Sequence, residues 1–306
     1  MEHIKDCIAA LREAAPEIDI AENELMRRHT TFAIGGPADL FVQPKTRREL
    51  TTALAVLRER NIPFLLLGNG SNMLVADAGI RGAVVCTSEL DEVRVNEDNT
   101  VSAEAGALLS RIARRAQRSG LTGAEFAGGI PGTVGGAAVM NAGAYGGEMK
   151  DVLVEVTVMD ADGNIFTIPA EKLELGYRTS IIKKAGYIVL EAKIRLEEGN
   201  QEAIRERMKE LTIQRTTKQP LEFPSAGSTF KRPEGYFAGK LVMDSGLRGY
   251  QVGGARVSEK HCGFVINAGG ATAKDVRTLM ENVRDIVYKK YGVTLEPEVK
   301  FLGEFE

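Results

Sequence analysis

Residues 127 to 147 read AGGIPGTVGGAAVMNAGAYGG, and the stretch carries eight glycines: Gly128, Gly129, Gly132, Gly135, Gly136, Gly143, Gly146 and Gly147. Fixing glycine costs conformational entropy, so a dense run inside a globular chain needs a physical reason. One reason is close approach of backbone N–H groups to a ligand, as in concavities that bind phosphate oxygens. The other is a flexible linker. Pro131, Val134, Val139, Met140 and Tyr145 are stiff or apolar and suit packing, so the stretch reads as a ligand-binding loop.

Outside this stretch, the bulk numbers exclude several classes. A chain of 306 residues exceeds one typical domain and can bury a large core. Its formal net charge of −3, with no Trp and 6% aromatic residues, argues against nucleic-acid binding, which calls for a basic face and stacking platforms. Cys7, Cys86 and Cys262 lack metal-ligand spacing, and only His3, His29 and His261 could join them, so no metal site is expected. Sparse, odd-numbered cysteines suit a reducing cytoplasm. The N-terminus is charged, with Ile4, Ile8 and Leu11 on one helical stripe. It reads as neither signal peptide nor membrane span, and no later stretch is long and apolar enough to cross a bilayer.

Along the chain, residues 38–44 read as a strand, Thr46 to Arg60 as a helix and residues 64–67 as a buried strand, a short βαβ unit. Gly68-Asn69-Gly70-Ser71-Asn72 follows. A dinucleotide fingerprint of the Rossmann type would open a helix here. The next residues, MLVADAGIRGAVV, read instead as more strand, which disfavours that fold. A phosphate cradle and a tight inter-strand turn are both open readings of this loop. Residues 93–104 read as a strand pair, 108–119 as a helix, 152–159 and 164–168 as a hairpin around Asp162-Gly163, 188–196 as a strand and 202–215 as a charged helix. Thr272 to Tyr291 is the strongest helix, with a capping-box start at Thr272 and Asp275 and a stop at Gly292. The tail, LEPEVKFLGEFE, alternates like a final strand.

Taken in order, LGNGSNMLVADAGIRG (67–82), GGIPGTVGGAAVMNAGAYGGE (128–148), GYRTS (176–180), PSAGSTFKRP (224–233), AGKLVMDSGLRGYQVGGARVSEKHCGFVINAGG (238–270) and LEPEVKFLG (295–303) closely resemble the UDP-N-acetylenolpyruvoylglucosamine reductase family. The resemblance runs from about residue 30 to the C-terminus and is nearest the shorter, type II branch. It implies an α+β protein. A vanillyl-alcohol-oxidase/PCMH-type FAD-binding domain of two α+β subdomains is joined by a separate α+β substrate-binding domain. The implied partition is an N-terminal helical segment over 1–30, the FAD domain over 31–200 (subdomains about 31–85 and 86–200) and the UDP-sugar domain over 201–306, whose last strand returns to the active site. Also implied are non-covalent FAD, NADPH as co-substrate, UDP-N-acetylglucosamine enolpyruvate as substrate, a cytoplasmic reaction in peptidoglycan precursor synthesis, and no nucleic-acid partner or membrane insertion. A monomer is compatible with all of this.

The resemblance also distributes roles. Arg178 in GYRTS matches the enolate-stabilising arginine, since a guanidinium grips a carboxylate bidentately and keeps its charge. Ser228 in AGSTF matches the proton donor, and Glu298 in LEPEV the acid that hydrogen-bonds to the developing enolate, with Glu296 as the alternative. FAD would meet Asn69, Gly70, Ser71 and Asn72 together with Gly129, Ile130, Gly132 and Thr133. Gly136 and Ala137 would lie along the flavin edge and Asn141 would bond to it. Lys231, Arg232, Lys240, Tyr250, Lys260 and Asn267 are candidates for the UDP-sugar. Arg215 and Lys218 are further cations that could reach the flavin or the NADPH phosphate. Two competing functions stand beside this one. The first is another FAD oxidoreductase of the same fold acting on a sugar or alcohol. Such enzymes often attach flavin through His or Cys, and neither glycine loop holds a His. The second is a nucleotide-sugar-binding protein without catalysis, which the joint presence of Arg178, Ser228 and Glu298 opposes.

Overall fold

The computed structural model describes residues 2–305 and contains two compact units, each assembled from separate stretches of chain. The first unit takes the chain up to Ala21, Phe41–Asn69 and Ala83–Arg215. The second takes Glu22–Leu40, Gly70–Gly82 and the chain from Thr216 onward. These units do not follow the linear partition at residues 30 and 200. Phe32, Ile34 and Leu74 bury themselves in the core of the second unit, whereas Met208 packs on the core of the first. Apolar burial therefore assigns these segments against their order in the chain.

In the first unit, helix α1 (Glu2–Ala14) buries Cys7, Ile8 and Leu11 and packs on α2 (Arg47–Glu59). The expected helical segment over 1–30 ends early, because Asp19–Leu25 is a strand. Thr46 caps α2, its hydroxyl accepting from Glu49 N at 3.1 Å, and Leu50, Ala53, Leu54 and Leu57 fill the buried face. Strand Phe64–Leu67 runs parallel to the end of Ile80–Cys86. An antiparallel five-stranded sheet follows, in the order Ile165–Pro169, Leu153–Met159, Ile188–Arg195, Thr100–Glu104, Val93–Val95. Helices α3 (Leu109–Arg118) and α4 (Val134–Met140) contribute Ile112, Ala116, Val134 and Ala138 to the core that also holds Val156, Val158 and Ala192. Helices α5 (Ile181–Ala185) and α6 (Gln201–Lys218) complete this part of the chain. The glycine-dense stretch is thus not one loop, since α4 and a small hairpin lie within it.

In the second unit, α7 (Ala238–Asp244) and α8 (Ala273–Tyr291) accompany a three-stranded antiparallel sheet, Gln251–Val252, Ala255–Val257 and Val265–Asn267. The tail is strand only over Lys300–Leu302, which pairs in parallel with Met73–Val75. Val276, Leu279, Met280, Val283 and Val287 on α8 are buried, as their 3.6-residue spacing requires. The start of α8 is held three ways. Thr272 Oγ1 accepts from Asp275 N at 3.0 Å, the Asp275 carboxylate accepts from Thr272 N at 3.0 Å, and Asp77 accepts from Ala273 N and Lys274 N at 2.9 and 3.1 Å. Burial pushes the Asp275 carboxyl up, but hydrogen bonds from Thr272 and Gly254 outweigh it and hold the group below its ordinary value. A depressed carboxyl stabilises the fold above its unfolded pKa, and that contribution is lost as pH falls through the folded one. Among the described residues, no helix is long and apolar enough to cross a membrane.

Replacing Thr272 with Ala should cost about 1 kcal/mol of stability at neutral pH, the usual worth of a helix N-cap. Chemical denaturation of wild type and variant measures it.

Candidate functional site

Thr133 is the pivot of the glycine-dense stretch. It caps α4, with Gly136 N donating to its Oγ1 at 3.4 Å, and it is 3% exposed. A Cβ added to Gly68 would lie 2.5 Å from that same oxygen, so only glycine lets the first loop approach it. The side-chain amide of Asn69 then donates to Pro131 O at 2.7 Å. Within the first unit the loop ending at Asn69 and the GIPGT turn are therefore fastened together. The glycines divide by function. A Cβ at Gly135 would meet Ala105 O at 2.8 Å and one at Gly147 the Phe126 ring at 2.7 Å, so those two permit packing. Tyr145 and Gly146 have φ of +53° and +89° and turn the hairpin Gly143–Ala144/Gly147–Glu148. Gly136 is exposed on the first turn of α4.

Several backbone donors in these glycine turns are open. Among the described residues, the N–H groups of Asn69, Gly132 and Thr133 in the first unit, and of Ser71 and Asn72 in the second, donate no hydrogen bond within the chain. Backbone donors are normally paired or solvated, so open ones in a glycine-rich turn of either unit suit an anionic ligand. Arg215 adds charge. Its guanidinium packs over Gly129, with Nη1 3.1 Å from where a Cβ would sit, and makes no hydrogen bond or ion pair among the described residues. Burial lowers its pKa, the mark of a cation drawn out of water without a counter-charge. Ile130 packs against the core, and Ala137 is buried in it. Asn141, 1% exposed, spends its amide on the protein. Its Nδ2 donates to Glu148 Oε2 at 2.6 Å and to Gly176 O at 3.2 Å, and its Oδ1 accepts from Lys150 N at 2.9 Å.

The bond from Asn141 to Gly176 reaches the GYRTS turn. Gly176 and Thr179 exchange backbone hydrogen bonds at 3.1 and 3.3 Å, so Tyr177 and Arg178 form the corner. Arg178 has φ of +56°, at the turn position normally left to glycine. A long side chain held in left-handed backbone is a strained choice that points to a role for the side chain. Ser180, fully buried, donates to Val139 O at 2.8 Å and caps α5. Lys183 Nζ donates to Arg178 O at 3.2 Å.

Ser228 and Glu298 belong to the second unit, on adjoining extended segments. Glu298 N donates to Thr229 O at 2.9 Å and Lys231 N to Glu296 O at 2.8 Å, around a bridge between Phe230 and Pro297. Thr229 is the clamp, buried at 2% exposure. Its N donates to Gly263 O at 2.9 Å and its Oγ1 accepts from Val265 N at 2.8 Å. Asn72 Nδ2 donates to Glu298 O at 3.2 Å, and Lys300 N donates to Asn72 O at 3.0 Å. Glu296 is exposed, and the Lys231 ammonium 2.9 Å from its carboxylate holds its pKa below the ordinary range. Glu296 is thus held as an exposed carboxylate paired with Lys231, whereas Glu298 is half-buried.

The six substrate-side candidates also lie in the second unit. Lys231, Lys240 and Lys260 each face an acid, Glu296, Asp244 and Glu222, at 2.9, 2.7 and 3.4 Å. Such exposed pairs are worth about 0–1 kcal/mol and exchange readily for another anion. Arg232 stacks 4.0 Å from the Phe237 ring centroid. Tyr250 OH accepts from Asn282 at 3.0 Å. Asn267 is committed to its own loop, its Oδ1 accepting from Gly269 N and Ala271 N and its Nδ2 donating to Phe32 O. Sequence reading passed over Thr229 and Asp77, because a buried threonine acceptor and a cap supplied from a distant loop leave no periodic signal.

Residues 38–169 match a model described as an FAD binding domain. With the open backbone donors of the two glycine turns, this defines the class: an FAD-dependent oxidoreductase. Residues 219–302 match the model "UDP-N-acetylenolpyruvoylglucosamine reductase, C-terminal domain". A relative of that name from Agathobacter rectalis is 51% identical over 310 residues, covering 97% of this chain and 98% of its own. Another from Clostridioides difficile is 53% identical, covering 94% of each. The crystal structure of the reductase from Thermus caldophilus superposes with a TM-score of 0.80 at 36% identity, covering 94% of this chain and 99% of its own. The chain belongs to the UDP-N-acetylenolpyruvoylglucosamine reductase family. Its fold is the α+β, PCMH-type arrangement expected from sequence.

Arg178→Gly should be more stable than Arg178→Ala by about 1 kcal/mol, because only glycine enters left-handed backbone without strain. Thermal denaturation of the two variants tests this, and equal stabilities would remove the strain argument.

Proposed function

We propose that this protein reduces UDP-N-acetylglucosamine enolpyruvate to UDP-N-acetylmuramate with NADPH as the reductant, a cytoplasmic step of peptidoglycan precursor synthesis. The observation that carries the reading is the hydrogen-bonded ladder joining Ser228-Thr229-Phe230 to Glu296-Pro297-Glu298 and Asn72. It brings a hydroxyl and a half-buried carboxyl onto neighbouring extended segments, as proton donation to an enolate requires.

Bound FAD supplies the hydride chemistry. Asn69, Gly70, Ser71, Asn72, Gly129, Ile130, Gly132 and Thr133 would hold its pyrophosphate, with Arg215 as counter-charge; exposed Gly136 would lie along the ring, whereas Ala137, buried in the core, would only support that wall from behind. Asn141 acts by positioning the Arg178 turn. Addition of hydride to the terminal carbon of the enolpyruvyl group drives charge onto the substrate carboxylate as an enolate. Arg178 stabilises that charge, since a guanidinium cannot lose its proton. Glu298, acting protonated, hydrogen-bonds to the enolate oxygen. Ser228 gives its proton to the carbon beside the carboxylate, and a water reprotonates it. Lys231, Arg232, Lys240, Tyr250 and Lys260 are the groups available to the diphosphate and uracil, and Asn267 shapes the loop beside them.

Oxidation of NADPH should require the enolpyruvyl substrate, and equal consumption without it would overturn the assignment. In Ser228→Ala, reduction of the bound flavin by NADPH should persist while its reoxidation by substrate slows about 10² to 10⁴-fold, the usual worth of a proton donor. Thr229→Val removes the acceptor of Val265 N and should slow reoxidation about tenfold with flavin reduction unchanged, since small misplacements of reacting groups cost rate. Stopped-flow absorbance of the flavin reads both half-reactions.

A further inference from the structure

The second unit contains a cavity of about 250 Å³ that none of the roles above uses. Arg277, Met280, Glu281 and Arg284 of α8 line one side, and Pro297, Phe301 and Phe305 the other. Positions 277, 280, 281 and 284 recur on one helix face. The apolar wall is formed by Phe301 and Phe305, edge-to-face at 5.2 Å between centroids, with Pro297 and the Met280 thioether.

The polar wall is unbalanced. Arg277 is neutralised by Glu281, Nε to Oε1 at 2.9 Å, and also donates to Phe305 O at 3.2 Å. Arg284 has no ion pair or hydrogen bond among the described residues, and its Nε is buried without an acceptor. A guanidinium lining an apolar wall without a counter-charge is unfavourable, and a carboxylate is the partner that fits its forked donors. Among the described residues, the cavity thus offers one uncompensated positive charge beside an aromatic wall. Its volume, about eight times a water molecule's share of the liquid, matches roughly ten non-hydrogen atoms rather than a nucleotide.

We infer that this cavity is a binding site for a small monocarboxylate with an aromatic or branched apolar body, its carboxylate on Arg284 and its body against Phe301 and Phe305. The reading rests only on the cavity and its charge, so it stands or falls independently of the proposed reaction.

The test uses benzoate as probe on the FAD-loaded, full-length protein, with benzamide as the uncharged isostere. The methyl resonance of Met280, labelled with carbon-13, reports from the cavity itself. Benzoate should shift that resonance saturably with a dissociation constant of about 0.1–1 mM, a reasonable strength for so few atoms. Benzamide should bind at least tenfold more weakly. Arg284→Met, which keeps the aliphatic stem, should weaken benzoate at least tenfold while leaving the melting temperature and substrate-dependent NADPH oxidation near wild type. Phenyl phosphate should bind more weakly than benzoate, because a dianion overcompensates a single charge. Absence of saturation up to about 10 mM, equal binding of benzoate and benzamide, or unchanged affinity in Arg284→Met would each overturn the site. If Arg284→Met fails to fold, the benzoate-to-benzamide ratio on wild-type protein decides alone.

Discussion

Two asparagines, three residues apart, each fasten a distant segment of their own compact unit. Asn69 donates to Pro131 O, and Asn72 donates to Glu298 O. Between them, Gly70 has φ of +59° and an ideal Cβ only 2.1 Å from His29 O. No side chain fits there, so position 70 must stay bare backbone. Each bond acts within its own compact unit, one fixing the GIPGT turn and the other the segment that carries the acid. An asparagine suits both tasks because its amide donates without adding charge beside an anionic cofactor.

The same economy explains the division of labour among the glycines. A cofactor rich in phosphate oxygens needs N–H groups, and N–H groups become available only where the chain leaves its own ladders. Among the described residues, Asn69, Gly132 and Thr133 in one unit and Ser71 and Asn72 in the other keep such N–H groups without a partner in the chain. Gly135 and Gly147 instead let α4 and the following hairpin pack against Ala105 and Phe126. Arg178 stands on a strained turn braced by Asn141 and Lys183, and Ser228 and Glu298 on segments clamped by Thr229. In both places a neutral buried side chain, Asn141 or Thr229, fixes the backbone.

Much of this was legible in the residues. The helix over 273–291 with its capping box, α2 with Thr46 at its head, the hairpin around Asp162-Gly163 and the absence of a Rossmann helix after Gly68–Asn72 follow from periodicity and cap chemistry. The motif series placed the chain in its family and named Arg178, Ser228 and Glu298. Less legible were the strand Asp19–Leu25, which lacks a hydrophobic alternation, and α4, whose glycine content opposes helix propensity. Tertiary packing overrides propensity there, because Val134, Ala137 and Ala138 bury against the first core.

What the sequence determined by itself was local and chemical: which segments coil or extend, where backbone is bare, and which side chains can hold charge or give a proton. The motif series named Glu298 with Glu296 as the alternative, the two flanking one proline in equivalent extended positions. Only tertiary structure put Lys231 against Glu296 and left it ionised in solvent, with Glu298 half-buried between Thr229 and Asn72. It alone also assigned residues 22–40 and 70–82 to one unit and α6 up to Arg215 to the other. Both decisions depend on contacts between residues far apart in the chain, and burial and Coulomb partners are properties of those contacts rather than of any local pattern.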